Sequence, residues 1–155
     1  MNSGIGSSRY FNRLRVAAYL LVLYCVGHSW GALLAAPRFG APGDAVLAAM
    51  KSAHFRCQAA DCTWYGFYLG FGWMVSIFLL LSAGMAWFLG GLGPRERAAL
   101  RPLTWMLFVS HAVGAVLAWT YFFVAPGVFA TAVALLLGWE CVTGVRADQS
   151  PGVAR

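Results

Sequence analysis

Residues 64–89 of this chain read WYGFYLGFGWMVSIFLLLSAGMAWFL and contain no Asp, Glu, Lys or Arg. An α-helix needs about 20 predominantly apolar residues to cross the hydrocarbon layer of a bilayer. The stretch exceeds that length, and Gly91, Gly93 and Pro94 follow it as signals that end a helix. We therefore predict a membrane-spanning helix at this position.

The composition of the whole chain indicates the same environment. Of its 155 residues, 61% are hydrophobic and 10% are charged, whereas soluble domains have roughly 45–50% apolar and about 25% charged residues. Three further apolar segments reach spanning length, at about residues 16–36, 103–123 and 127–145. We predict an all-α polytopic membrane protein, a bundle of four transmembrane helices that forms a single domain over residues 1–155. The first segment is too long for the apolar part of a signal peptide, so we expect it to be retained.

The longest connection between the predicted helices covers residues 37–63. Within it, Asp44 is suited to cap a short helix, because its carboxylate can accept hydrogen bonds from free backbone amides. Apolar residues then recur at helical spacing, at Val46, Leu47, Met50 and Cys57. We predict a short amphipathic helix that lies on the membrane surface or caps the bundle.

Basic residues lie mainly on one side of the predicted helices. Those that precede helix one, link helices two and three, and follow helix four are Arg9, Arg13, Arg15, Arg95, Arg97, Arg101, Arg146 and Arg155. The opposite side has only Arg38, Lys51 and Arg56. Because Lys and Arg near short loops favour the cytoplasm, we predict cytoplasmic termini and a multi-pass protein of the bacterial inner membrane. The net charge of +6 is then a topology signal, and we predict no nucleic-acid partner.

Small residues recur at four-residue intervals in every predicted helix. These stripes are Gly27 with Gly31, Gly66 with Gly70, Gly72 with Ser76, Ser110 with Gly114 and Ala118, and Ala130 with Ala134 and Gly138. In lipid, close backbone approach through small residues is a principal source of packing energy between helices. The stripes predict a tightly packed bundle, although some pairs will arise by chance in a chain this rich in glycine and alanine.

Helices one and three share a short pattern. Residues 26–35 read VGHSWGALLA and residues 109–118 read VSHAVGAVLA, so two of the three histidines of the chain, His28 and His111, coincide. Such a match is expected of a duplicated two-helix unit with a parallel repeat. Helices two and four show no comparable match, so chance similarity stays open as the alternative. If the duplication holds, His28 and His111 lie at the same depth in the bilayer.

His28 and His111 are the main candidate binding residues, because polar side chains are rare inside membrane helices. Two neutral imidazoles at matching depth could ligate haem b or a metal ion. A haem would be non-covalent, since no C-x-x-C-H motif occurs. The alternatives are hydrogen bonding to a serine, threonine or backbone carbonyl of a neighbouring helix, and proton relay or quinone contact.

Glu140 is the only acidic residue within a predicted span and is our candidate for proton handling. The simpler interpretation is that it reaches the interface and pairs with an arginine such as Arg15 or Arg146. Small multidrug transporters also have four helices, but their key glutamate lies in the first helix, which has none here. This difference weakens the interpretation as a proton-coupled transporter.

The four cysteines fall into two groups. Cys25 and Cys141 lie in predicted helices and are interpreted as small packing residues. Cys57 and Cys62 lie in the connection of residues 37–63, on the predicted periplasmic side. An oxidising periplasm would allow a disulfide between them. A zinc site that adds His54 and Asp61 is the alternative, although its spacing matches no standard finger.

No catalytic, nucleotide-binding or metalloprotease fingerprint occurs in the chain, so the sequence favours a non-catalytic protein. In size and helix layout the chain resembles small four-helix inner-membrane proteins of bacteria and, in architecture alone, DoxX-type proteins. We expect an integral membrane protein that is an accessory or self-associating bundle. Its expected partners are the lipid bilayer and a second copy or another membrane subunit. Haem b binding and proton-coupled transport are the alternatives.

Overall fold

The computed structural model describes residues 12–35 and 39–148, with side chains as far as residue 143. The elements are α1 (Arg13–His28), a π-helical segment (Ser29–Leu34), α2 (Gly40–Ser52), β1 (His54–Cys57), β2 (Ala60–Thr63), α3 (Trp64–Gly91), α4 (Pro94–Ala99), α5 (Arg101–Tyr121) and α6 (Val124–Asp148). The protein is therefore mostly helical. Arg9, Arg38 and Arg155, which enter the orientation prediction, lie outside the described residues, as does the side chain of Arg146.

Four helices of the described chain are long and apolar enough to cross a membrane: Arg13–Leu34, Trp64–Gly91, Arg101–Tyr121 and Val124–Thr143. This supports a multi-pass membrane protein. The first span begins at Arg13 because Asn12 caps it: the Asn12 Oδ1 atom accepts a hydrogen bond from the Arg15 backbone amide at 3.2 Å. The fourth begins before Pro126, since proline is tolerated in the first turn of a helix.

The connection between the first two spanning helices differs from the prediction in two respects. The helix α2 begins at Gly40, ahead of Asp44, and the Asp44 carboxylate accepts a hydrogen bond from the Phe39 amide at 3.3 Å instead of capping as the first residue. Cys57 is not on this helix, because residues 54–63 form a two-stranded antiparallel hairpin, β1–β2. The hairpin turns at Gln58 and Ala59, both with positive φ.

The chain divides into two compact units. The paired-helix unit combines residues 1–19 with residues 85–155, and the hairpin unit covers residues 20–84. Helices α1 and α3 each contribute residues to both units.

In the paired-helix unit, α5 and α6 run antiparallel through a two-residue connection. Their buried residues recur at helical spacing and include Thr104, Leu107, His111, Ala115 and Ala118 on α5, and Ala130, Val133, Ala134, Leu137 and Cys141 on α6. Two glycines of α6 receive aromatic rings of α5. A Cβ atom built on Gly138 would lie 2.7 Å from the Phe108 ring, and one built on Gly127 would lie 2.7 Å from the Trp119 indole.

In the hairpin unit, residues of α1 and the π-helical segment pack antiparallel against α3. A Cβ atom on Gly72 would collide with the side chain of Leu33, so the predicted stripe of Gly72 and Ser76 is a close-packing surface. Gly27, Gly31 and Gly70 are different, because each is exposed and a Cβ atom there would meet no heavy atom within 4 Å. These three glycines make no close packing contact within the described chain.

Candidate functional site

A polar cluster surrounds His28 in the middle of the hairpin unit. His28 is the last residue of α1, and its Nδ1 atom shares a hydrogen bond with the Ser76 hydroxyl of α3 at 3.1 Å. The same hydroxyl bonds to the Ser29 hydroxyl at 2.8 Å, and the Cys25 thiol donates to the Ser76 carbonyl at 3.4 Å. Ser76 is the centre of this group, because it bonds to each of the other three residues and is 3% exposed. We call these four residues the Ser76 cluster.

The backbone changes from α-helix to π-helix directly after His28. The Ala35 amide donates to the Trp30 carbonyl, five residues earlier, at 2.8 Å. The last four carbonyls of a helix have no partner within it, and the Tyr68 hydroxyl donates to one of them, that of Ala32, at 2.9 Å. Such π-helical turns are frequent at functional sites, and this one sets the positions of His28 and Ser29 against α3.

His111 lies in the paired-helix unit, on α5, and is 4% exposed. His28 belongs to the hairpin unit. Their predicted meeting at one haem stays a prediction. The two matched segments also differ in backbone, since residues 29–34 are π-helical and the corresponding part of α5 is regular α-helix.

Glu140 is the centre of an ion-pair group in the paired-helix unit. Its carboxylate accepts hydrogen bonds from Arg97 at 3.2 Å and from Arg13 at 3.4 Å. Arg13 also donates to the Thr143 hydroxyl at 3.3 Å and lies over the Trp139 ring. The Glu140 side chain is only 16% exposed. The arginines that hold it therefore come from the start of α1 and from α4.

Arg15, one of the two partners that the sequence suggested for Glu140, has another contact. Its guanidinium lies 3.6 Å from the centre of the Trp87 ring in a cation–π arrangement. Residues two positions apart are rotated by about 200° around the helix axis, so Arg13 and Arg15 point to opposite sides of α1. They cannot both pair with the same carboxylate. The side chain of Arg146, the other suggested partner, lies outside the described residues.

Cys57 and Cys62 lie on one face of the hairpin but are not opposite each other. Cys57 pairs with Ala60, and Cys62 pairs with Phe55. Diagonal neighbours of this kind have Cα atoms about 7–8 Å apart, whereas disulfides need about 4.4–6.8 Å. Both thiols are free in this register, and the disulfide stays a prediction that would require the strands to shift.

On the other face of the hairpin, His54 Nδ1 lies 2.9 Å from Asp61 Oδ2. Both side chains are exposed. Within residues 12–35 and 39–148, no three His, Cys, Asp or Glu side chains are grouped to hold a metal ion. The four residues of the zinc alternative therefore do not form one ligand set.

Two open cavities lie beside the hairpin on the exposed face of α3. One of about 400 Å³ extends from Asp61 and Cys62 along Gly66 and Gly70, and the other, of about 480 Å³, is lined by aromatic side chains including Phe55 and Trp64. Neither cavity is lined by His28, His111 or Glu140. The proposed polar residues are therefore not gathered around either of these cavities.

Sequence reasoning missed the residues that engage the candidate side chains. Ser76 was noted only as part of a small-residue stripe, and Arg13 and Arg97 only as topology signals. Ser76 could have been noticed as a hydroxyl in an apolar span. A single sequence does not show which residues of α1 lie opposite which residues of α3, so its partners could not be predicted. No family model matches this sequence, and neither a curated protein nor a solved structure matches it.

Proposed function

We propose that this chain is a non-catalytic integral membrane protein, an accessory or self-associating bundle whose polar side chains in the membrane stabilise helix packing. The observation that carries the proposal is the pairing of Glu140: its two carboxylate oxygens each accept a hydrogen bond from a different arginine. The contacts of His28 agree with it, because its Nδ1 atom bonds a serine of the neighbouring helix.

The contacts of Glu140 argue against proton-coupled transport. A carboxylate that carries protons must alternate between a charged and a neutral form, and it must reach water or substrate. Protonation of Glu140 would leave Arg13 and Arg97 without their shared counter-ion in a partly buried setting. Such a loss is unfavourable, so this geometry suits a permanent structural ion pair.

Self-association is favoured over an isolated bundle by the open glycines of the hairpin unit. Gly27 and Gly31 are spaced G-x-x-x-G, are exposed and have no neighbouring atom where a side chain would stand. Helices in lipid associate through such surfaces because glycine lets two backbones approach closely. A second copy of α1 is the occupant we propose.

The test is energy transfer between labelled copies in liposomes, measured across a dilution of protein into lipid. Wild type should associate in a concentration-dependent manner, and the double variant Gly27→Leu with Gly31→Leu should associate at least tenfold more weakly. Gly84→Leu is the matched control, since Gly84 is also exposed and uncrowded but lies on α3. A wild type that stays monomeric at every dilution would overturn the self-association.

We further propose that both termini are cytoplasmic and that the chain resides in a bacterial inner membrane. Support comes from the ends of the helices in the paired-helix unit. The contacts of Asn12 with Gly90, and of Arg13 and Arg97 with Glu140, bring the start of α1, the end of α3, α4 and the end of α6 to one side. When arginines are concentrated in the short connections on one side of a membrane protein, that side is favoured to be cytoplasmic.

A second candidate function is b-type haem binding through His28 and His111. One feature of His28 favours it: its Nδ1 atom bonds Ser76, which leaves Nε2 as the ring nitrogen that would hold the iron. Histidines that bind a metal through one ring nitrogen use the other for a hydrogen bond that fixes the ring. Haem would supply electron transfer, and the chain would hold it from two helices.

Absorption spectra separate the two functions. The protein purified in mild detergent from haem-replete cells should be colourless under the first proposal, both air-oxidised and dithionite-reduced. A Soret band with sharp α and β bands on reduction, lost in His28→Ala and in His111→Ala, would establish a b-type cytochrome instead. A second b-type cytochrome produced in the same cells controls for haem supply.

A further inference from the structure

Five arginines lie at one end of the paired-helix unit, where the spanning helices begin or end. This arginine cluster consists of Arg13, Arg15, Arg95, Arg97 and Arg101. They come from the start of α1, from α4 and from the first residue of α5. The contacts of Asn12 with Gly90 and of Arg13 with Glu140 show that these helix ends adjoin one another.

The acidic side chains at this end do not neutralise the cluster. Glu140 is shared between Arg13 and Arg97. Glu96 is used locally, because its Oε2 atom accepts a hydrogen bond from the Gly93 amide at 2.9 Å and so caps α4. Among the residues whose side chains the structure describes, this end has five guanidinium groups and two carboxylates, which is an excess of positive charge.

Hydrogen-bond donors of the cluster are also left over. Within the described part of the chain, the Nε atoms of Arg97 and Arg101 are buried and have no hydrogen-bond partner. A buried donor that stays unpaired is unfavourable, so a ligand that accepts these hydrogen bonds would be favoured. Arg95 is exposed and makes none of the described hydrogen bonds or ion pairs.

Guanidinium groups match phosphate in both charge and shape. Their planar fork donates two parallel hydrogen bonds to a phosphate, as it does to a carboxylate. The indole rings of Trp87 and Trp139 lie against Arg15 and Arg13, as expected at the level of lipid headgroups, where tryptophan is enriched. The ligand chemistry indicated is therefore a phosphate oxyanion at the membrane surface.

We propose that the arginine cluster binds the phosphodiester headgroup of an anionic phospholipid. The proposal rests on insertion of the four helices into a membrane and is independent of self-association and of haem binding. Lipid is favoured over a free phosphate ion because the cluster begins where the apolar spans end. A lipid there presents its phosphate at that depth while its acyl chains cover the adjoining apolar helix faces.

The test is native mass spectrometry of the full chain in detergent, titrated with dioleoylphosphatidylglycerol, dioleoylphosphatidylcholine or inorganic phosphate. We expect retention of phosphatidylglycerol well above phosphatidylcholine. Arg95→Gln and Arg101→Gln should each reduce its affinity roughly fivefold, the effect of removing one basic residue near an anionic surface. Neither residue pairs with Glu140, so both variants should fold.

Arg56→Gln is the matched control, since Arg56 is an exposed arginine on β1 and belongs to the other unit. It should leave phosphatidylglycerol binding unchanged. Equal retention of both lipids, or equal losses in Arg56→Gln and Arg101→Gln, would overturn the proposal. Binding of inorganic phosphate without retention of phosphatidylglycerol would overturn the assignment to a lipid headgroup.

Discussion

Gly127 is the position where the packing of α5 against α6 can be tested most directly. The change is Gly127→Ala. A Cβ atom at Gly127 would lie 2.7 Å from both Cδ2 and Cε2 of the Trp119 indole and 3.0 Å from Cε3. Non-bonded carbon atoms prefer about 3.5–4.0 Å, so one partner has to move. The Trp119 ring is also tied to α6, because its Nε1 atom donates to the Thr131 hydroxyl at 2.9 Å.

The expected size of the effect follows from three contributions. Forcing an extra methyl group into a packed site costs about 1–3 kcal/mol. If the indole swings aside, its hydrogen bond to Thr131 is lost, which in a membrane costs on average about 0.6 kcal/mol. Alanine recovers about 0.5–1 kcal/mol through its better helix propensity. We expect a net loss of about 1–2 kcal/mol in the free energy of unfolding.

The assay is reversible unfolding in mixed micelles of dodecylmaltoside and increasing dodecyl sulfate, followed by tryptophan fluorescence. Gly114→Ala is the control, because Gly114 is on α5 and a Cβ atom there meets nothing within 4 Å. It should be neutral or stabilising by up to about 1 kcal/mol. Combining Gly127→Ala with Trp119→Leu should recover stability relative to Trp119→Leu alone. Equal stability of Gly127→Ala and Gly114→Ala would refute this packing.

Four further predictions concern the polar groups. Ser76→Ala removes the hydroxyl shared by His28 and Ser29 and should cost about 1 kcal/mol of unfolding free energy; the exposed Ser110, changed to alanine, is the control and should be neutral. Glu140→Gln should cost about 1–2 kcal/mol, since the pairs with Arg13 and Arg97 are partly exposed; an unchanged unfolding curve would contradict the ion-pair assignment. Tyr68→Phe leaves the Ala32 carbonyl without its donor and should cost about 0.6 kcal/mol, with Tyr121→Phe as an exposed control. In intact, mildly reduced cells, a membrane-impermeant maleimide should label exposed Cys57 but not buried Cys25 or Cys141, and labelling that needs permeabilised cells would contradict the proposed orientation.

The four spans could be predicted because a single property, apolar length, controls them. The first and last residues of those spans depend on capping and on proline placement, which are harder to recognise in the sequence than apolar length. Asn12 starts α1 earlier than the apolar run, and α6 begins at Val124, so that Pro126 lies inside its first turn although the predicted span began at about residue 127. The hairpin was missed because its turn uses Gln58 and Ala59 at positive φ, where glycine or asparagine is the usual signal.

The candidate site residues were easier to name than their partners. An acidic or imidazole side chain inside an apolar span is visible in one sequence, and this identified Glu140 and His28. Their partners depend on which helices adjoin and on the rotation of each helix about its axis. Arg13 rather than Arg15 meets Glu140 because the two residues point to different sides of α1. Arg97 meets it because residues 94–99 form a helix, where the sequence suggested only a link.

His28 and the π-helical segment that follows it both obtain hydrogen-bond partners from α3, which is why polar groups are tolerated inside this apolar span. Hydrocarbon offers no hydrogen bonds, so every backbone group that leaves the α-helical ladder needs a partner within the protein. Here Tyr68 supplies one for Ala32, and Ser76 joins His28 to Ser29 at the start of the segment. Tyr68 and Ser76 both come from α3 and lie about two helical turns apart along it, so the irregular backbone and the polar side chains are stabilised by the same helix. Whatever His28 does, its position therefore depends on the contact between α1 and α3.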